Sequence, residues 1–192
     1  MNYSVQTKRL KARVSVLLLF VIGVILFSCS RNKLEEDIHR LMGKEISVPY
    51  DSLLRYRDVN VPHLDSCQYK YIVYLDSMVC SSCTLKNMYY WEVLRDSVAT
   101  LGKNVGIVFI YAPSKEETGK FLSDLRHTRE EFISFVDTTG CFIRNNYFIP
   151  ENSNLHAFLL DSNNKIIMVG NAQNNPAIEK LFFHIILNSD DV

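Results

Sequence analysis

Past residue 66 the chain alternates between short uninterrupted apolar runs and stretches whose apolar residues recur at helical spacing. Lys70–Asp76, Val105–Tyr111 and Phe132–Val136 carry no polar alternation and end at turn-forming residues, so they read as strands buried on both faces. Between the first two runs, Leu85, Met88, Trp91, Leu94, Val98 and Leu101 recur every three or four residues. They predict an amphipathic helix closed by Gly102. After Pro113, Ser114 is placed to cap a helix with Glu116 and Glu117 in its first turn and Phe121, Leu122 and Leu125 facing the core. Phe142–Tyr147 suits a short helix. Ala157–Leu160 and Lys165–Val169 flank Asp161-Ser-Asn-Asn164, whose composition predicts a hairpin turn. Asn175-Pro176 then opens a terminal helix with Ile178, Leu181, Phe182 and Ile185 on its inner side.

Before residue 66 the pattern is weaker. Leu34, Ile38, Leu41 and Met42 share one helical face, and Gly43 suits a C-terminal cap. Glu45-Ile-Ser-Val48 reads as a short strand, and Arg55-Tyr-Arg-Asp58 with Pro62 as loop. The order β-α-β-α-β, then hairpin, then helix defines an α/β fold. Its parallel strands are joined by right-handed crossovers, with antiparallel strands added at one side.

The N-terminus suggests where the domain resides. Lys8, Arg9, Lys11 and Arg13 precede an uncharged run from Val14 to Phe27, short for a membrane span and suited to a signal peptide. The run ends in Leu26-Phe27-Ser28-Cys29, which resembles a bacterial lipoprotein box and implies that Cys29 is lipidated and becomes the mature N-terminus. The other reading is an uncleaved anchor helix, and both readings export the globular part. The expected organisation is a signal peptide over 1–28, a lipid-anchored tether and extension over 29–65, and one domain over 66–192. The 21 basic residues balance the 21 acidic ones, and removing the basic N-terminus leaves the exported part slightly acidic. Without a Lys/Arg-rich tract there, a nucleic-acid partner has no electrostatic basis. Plentiful aromatic residues and few Gly and Pro argue for a packed globule.

Of the five cysteines, four remain once Cys29 is set aside. Cys80-Ser-Ser-Cys83 stands where a strand pattern gives way to a helix pattern. A cysteine at a helix N-terminus meets unpaired backbone N–H groups and the positive end of the helix dipole, which favour a thiolate. A second cysteine one turn on can close a disulfide with it. With Tyr71–Cys83, Phe135-Val-Asp137, Phe158-Leu-Leu-Asp161 and Lys165–Gly170, the chain from 66 to 192 resembles the thioredoxin-like superfamily. It looks like the variant of that fold shared by peroxiredoxin-like and membrane-anchored, cytochrome-maturation-type thiol–disulfide proteins. The resemblance implies a three-layer sandwich around a central mixed sheet. It also implies a nucleophilic Cys80, a resolving Cys83 and partners that are thiol- or disulfide-containing proteins of the cell envelope, on the periplasmic side or at the outer membrane. No cofactor is called for.

Three positions depart from the family pattern. Val79 replaces an aromatic residue before the first cysteine, and Tyr74 stands where thioredoxins carry a buried acid. Leu155 occupies the place of the cis-proline that faces the disulfide, with Pro150 five residues earlier; a cis peptide there would cost about 2.5–4 kcal/mol, so a trans bond is expected. Leu155 and His156 are therefore the residues expected in the loop near the pair. A Cys/Cys/His set with His156 would suit copper or zinc, although a histidine beside a strand is more often structural. Trp91, Asp137 and Asp161 read as packing and turn residues. Cys141, two strands from Cys80, reads as a buried small residue with an accessory thiol as the alternative, and Cys67 belongs at the opposite pole. The reading is an exported thiol–disulfide oxidoreductase. Its rivals are a non-catalytic binding module of the same fold and a copper- or zinc-handling protein.

Overall fold

The computed structural model describes residues 33–56, 64, 66–77, 85, 87–128 and 132–188, except the side chain of Asn174. The chain divides into two compact units, Met1–His39 and Arg40–Val192. A helix, α1, covers 33–41. The apolar face expected there is not buried as one: Leu41 is buried, whereas Leu34 and Met42 are exposed. Met42 lies past the helix, in a turn closed by Gly43 (φ +74°), whose N–H donates to Ile166 O at 2.8 Å.

The second unit contains β1 (Leu54–Tyr56), β2 (Tyr69–Leu75), α2 (Tyr89–Thr100), β3 (Val105–Tyr111), α3 (Lys115–His127) and β4 (Ile133–Val136). These are followed by α4 (Cys141–Asn145), β5 (Ala157–Leu160), β6 (Ile166–Val169) and α5 (Pro176–Asn188). The sheet runs β1-β4-β3-β2-β5-β6. The β2–β3 and β3–β4 pairs are parallel, while β1–β4, β2–β5 and β5–β6 are antiparallel. Hence β2 is an internal strand: Val73 pairs with Phe109 on one side and Ala157 on the other.

Burial on both faces explains the unbroken apolar run of β2. Its odd-numbered residues, Tyr69 to Leu75, join a core with Trp91, Leu94 and Val98 of α2, Phe121 and Leu125 of α3, and Phe182 and Ile186 of α5. The rings of Trp91 and Phe182 lie 5.5 and 5.4 Å from Tyr71. On the other face, Tyr74 stacks on Phe142 of α4 at 5.0 Å. Helices therefore cover the sheet on both sides.

The helix ends follow their predicted caps. Ser114 Oγ accepts from Glu117 N at 3.3 Å, Gly102 takes φ +68°, and Asn175 Oδ1 accepts from Ala177 N at 3.0 Å. Some expected core positions are displaced. Leu101 is 45 % exposed because the helix has ended there, and Leu181 is 42 % exposed because α5 turns Phe182 and Ile186, one helical turn apart, into the core. Glu45–Val48 is not a strand; Glu45 makes a single bridge to Lys165, and Ile46 N donates to Asn164 O at 2.9 Å. Arg55 and Tyr56, expected in a loop, belong to β1. This edge strand pairs with β4, and the Tyr56 hydroxyl donates to Leu125 O at 2.6 Å.

Candidate redox site

Cys80 and Cys83 lie outside the described residues, as does Cys29. In chain order the pair falls in the connection that leaves β2 after Leu75 and enters α2 at Tyr89. The described surroundings of that connection are the C-terminal ends of the parallel strands. There Ala112 N donates to Leu75 O at 2.7 Å, Asp137 N to Tyr111 O at 2.7 Å, and Tyr74 N to His156 O at 2.8 Å. The ends of β2, β3 and β4 and the approach to β5 thus form one edge.

At this edge His156 is buried. Its Nε2 lies 2.7 Å from Pro150 O, and because a carbonyl only accepts, Nε2 carries the hydrogen of that bond. Nδ1 lies 3.2 Å from Asp76 Oδ2 without forming a hydrogen bond. The ring also meets Tyr74 edge-on at 5.4 Å. Nε2 is thus satisfied by Pro150 O, whereas Nδ1 is buried without a hydrogen-bond partner among the described residues.

Leu155 is buried at the end of the 3-10 turn Ser153–Leu155, where its N–H donates to Asn152 O at 2.9 Å. Among the described residues no peptide bond is cis. The side chains of Leu155 and His156 therefore point into the protein, and the exposed part of this loop is Glu151–Asn154.

Next along the edge, Asp137 organises the start of α4. Its Oδ2 accepts from Phe142 N at 2.9 Å, and its Oδ1 from Cys141 N at 3.0 Å, Thr139 N at 3.2 Å and Cys141 Sγ at 3.4 Å. Burial works to raise its pKa, but the bonds from Phe142, Cys141 and Thr139 outweigh it and hold the carboxyl below the ordinary aspartate value. Burial pushes the Cys141 thiol up, and the Asp137 charge adds to that. Tyr74 is likewise raised, first by burial and then by the charges of Asp137, Asp76 and Cys141. Asp137 is thus a cap and Cys141 a buried thiol, as the sequence suggests.

Cys67 is buried beside the start of β2, at the opposite pole. Both Cys67 and Cys141 are thiols. No group of three or more His, Cys, Asp or Glu residues suited to a metal occurs among the described residues, and no helix among them is long and apolar enough to cross a membrane. The sequence reading does not single out Asp76, whose contact with His156 links residues 80 positions apart. Only its place at a strand end hints at it.

No protein-family model matches the sequence, and no curated protein matches it. Solved structures do. A Chlorobium tepidum protein assigned as the thiol:disulfide interchange protein DsbE superposes with a TM-score of 0.52 at 16% identity, covering 76% of this chain and 97% of that one. A domain from Cytophaga hutchinsonii assigned as a thiol-disulfide isomerase gives 0.48 at 16% identity, covering 78% and 97%. Copper-bound yeast Sco1 gives 0.47 at 13% identity, covering 76% and 92%. With the mixed six-stranded sheet between helices, the first similarity shows a thioredoxin-like fold.

Proposed function

We propose that this protein is an exported, lipid-anchored thiol–disulfide oxidoreductase working through Cys80 and Cys83. In this reading residues 1–28 are the signal peptide, Cys29 bears the lipid, 29–65 tether the domain, and 66–192 carry the redox site. The observation that supports it is positional: the C-x-x-C of this thioredoxin-like chain falls in the connection from the internal strand β2 to α2. The Cys80 thiolate attacks one sulfur of a partner disulfide. A Cys80–partner bond forms, and the partner's other sulfur leaves as a thiolate and takes up a proton. The Cys83 thiolate then attacks Cys80 sulfur and releases the partner's second thiol, leaving the pair oxidised and the partner reduced by two electrons. Run backwards, the same steps oxidise a partner dithiol. A two-residue spacer closes too small a loop to act as a strong staple, which further favours redox use.

Trapping tests this assignment. Cys83→Ser should accumulate mixed disulfides with envelope proteins on non-reducing gels, Cys80→Ser should trap none, and Cys67→Ser and Cys141→Ser should leave trapping intact. A wild-type pair that turns over no disulfide substrate, with neither mutant forming adducts, would refute the enzyme and favour the binding module. Equal trapping by both mutants would keep the chemistry and remove the division of roles.

A further inference from the structure

The core-facing stripe of α2 has an apolar counterpart on the outside. Of the nine large hydrophobic side chains exposed among the described residues, five lie on two helices: Tyr89 and Val93 on α2 with Leu101 at its end, and Leu181 and Leu187 on α5. Both helices pack on the same face of the sheet, where Trp91 and Phe182 flank Tyr71 at 5.5 and 5.4 Å. On α2, Val93, Asp96, Ser97, Thr100 and Leu101 line a surface groove of about 470 Å³. Val93, Asp96, Ser97 and Thr100 stand at i, i+3, i+4 and i+7, so they are the four residues that form a hole for a side chain of a facing helix. The hydroxyls of this hole are spent inside the helix. Ser97 Oγ donates to Val93 O and Thr100 Oγ1 to Asp96 O, both at 2.8 Å. What they offer a partner is therefore mostly carbon.

The charges beside this surface differ in sign between the two helices. The exposed charged residues of α2 are acids, Glu92 and Asp96. Its one cation, Arg95, is half-buried, with the guanidinium 5.3 Å over the Phe132 ring and Nε 3.1 Å from Asp96 Oδ1. Helix α5 reverses the order: its exposed titratable residues are Lys180 and His184, and Glu179 is half-buried. Glu179 faces Tyr90 of α2, whose pKa is raised by burial first and by that carboxylate's charge second. We propose that a second copy of this chain covers the surface, with α2 of each copy lying on α5 of the other about a two-fold axis. Leu181, exposed on α5, enters the hole on α2 of the other copy, and Lys180 and His184 on either side of it meet Asp96 and Glu92. A lipid bilayer fits the surface less well, because the exposed acids of α2 are repelled by anionic headgroups. Helices of 12 and 13 residues are about 18 and 20 Å long, and packed neighbours lie about 8–10 Å apart. Two of them offer less than the roughly 800 Å² per partner of a standard interface, so the pair forms at micromolar concentrations and above.

The test uses the full protein purified in detergent, as an equal mixture of unlabelled and heavy-nitrogen-labelled copies. A carbodiimide joins carboxylates to lysines in contact with them, without a spacer. Mass spectrometry should then find peptides linking Glu92 or Asp96 to Lys180 with one half unlabelled and the other heavy. Leu181→Glu places a charge in the hole and should raise the dissociation constant of the pair at least about tenfold. The emission of Trp91, the only tryptophan, checks that this variant is folded. Asp96→Lys should weaken the pair as well, and adding Lys180→Glu to it should restore association; this exchange of charges decides the matter if Leu181→Glu does not fold. Tyr147→Ser, which changes an exposed aromatic residue outside both helices, should leave association as it is. A wild-type protein still monomeric at about 100 μM would overturn the proposal, as would a dimer indifferent to Leu181→Glu and Asp96→Lys. Links confined to single copies, from Glu92 or Asp96 to Lys8 or Lys11, would overturn it by giving the surface to the chain's own N-terminus. Binding to vesicles that Leu181→Glu abolishes, without any dimer, would overturn it in favour of lipid.

Discussion

Replacing Asp137 by alanine tests whether the edge of the sheet is organised by one carboxylate. Gly140, the residue immediately before α4, has no side chain to cap the helix, and the first-turn N–H groups of any helix lack intrahelical acceptors. Asp137 supplies them from upstream, holding Phe142 N at 2.9 Å and Cys141 N at 3.0 Å. Alanine would leave both buried donors unpaired, each at about 1–3 kcal/mol, offset in part because a buried carboxylate no longer has to be desolvated; the net expectation is about 2–4 kcal/mol. Asparagine keeps one acceptor and should cost roughly half as much. Urea unfolding at pH 7, followed by Trp91 emission, measures both. The pH dependence gives an independent check. The folded carboxyl sits below its ordinary value of 3.8, so the folded state binds that proton less readily than the unfolded chain. Its stabilisation is therefore complete above the unfolded value and is lost as pH falls through the folded one. The wild type should lose more stability than Asp137→Asn below about pH 4, and the two should converge in acid. An alanine variant within about 1 kcal/mol of wild type, or identical acid slopes, would refute this account.

Two further outcomes follow from the same geometry and from the N-terminus. His156→Leu removes the bond to Pro150 O and should cost about 1–3 kcal/mol in urea unfolding, with faster amide exchange across 151–156; unchanged exchange there would show that the ring does not hold the loop. Cys29→Ala should abolish lipid labelling and leave the domain as a soluble or an uncleaved form, and a wild-type protein that carries no lipid, or a mutant that keeps it, would sink the lipoprotein reading.

The parts of the fold that were legible in the sequence are those with a period. Strands β2, β3 and β4 are apolar without alternation because both faces are covered, and α2 and α3 carry regular stripes closed by Gly102 and opened by Ser114. Strand β1 was missed for the opposite reason: it has three residues at an edge, and Leu54 and Arg55 are both exposed. The polar fastenings were not legible either. Asn146 holds Ser47 by both its N–H and its carbonyl, each at 2.8 Å, and Gln173 holds Trp91, but these contacts span 99 and 82 residues. A long-range hydrogen bond leaves no periodic trace in the chain, and its partner emerges only once the sheet has brought distant segments together. The candidate site divides in the same way. Its cysteines are read from spacing, while the contact of Asp76 with His156 emerges only from the fold.

The loop ending at Leu155 and His156 shows how a backbone can be fixed without a proline at that place. A proline would act covalently, by locking φ. Here the same stretch is held by Tyr74 N on His156 O, by His156 Nε2 on Pro150 O, and by Leu155 N on Asn152 O, with the Leu155 side chain buried beneath. Introducing proline at Leu155 would conflict with this arrangement in three ways. It deletes the N–H that Asn152 O accepts, removes a buried leucine side chain, and pushes Asn154 away from the helical backbone it adopts in the 3-10 turn. Leu155→Pro should therefore destabilise the domain by about 3 kcal/mol or more in urea unfolding, with no gain in disulfide exchange. A Leu155→Pro protein that is as stable as wild type and exchanges disulfides faster would show the reverse: that the natural loop restrains the pair, and that its hydrogen bonds are not the sequence's substitute for the proline.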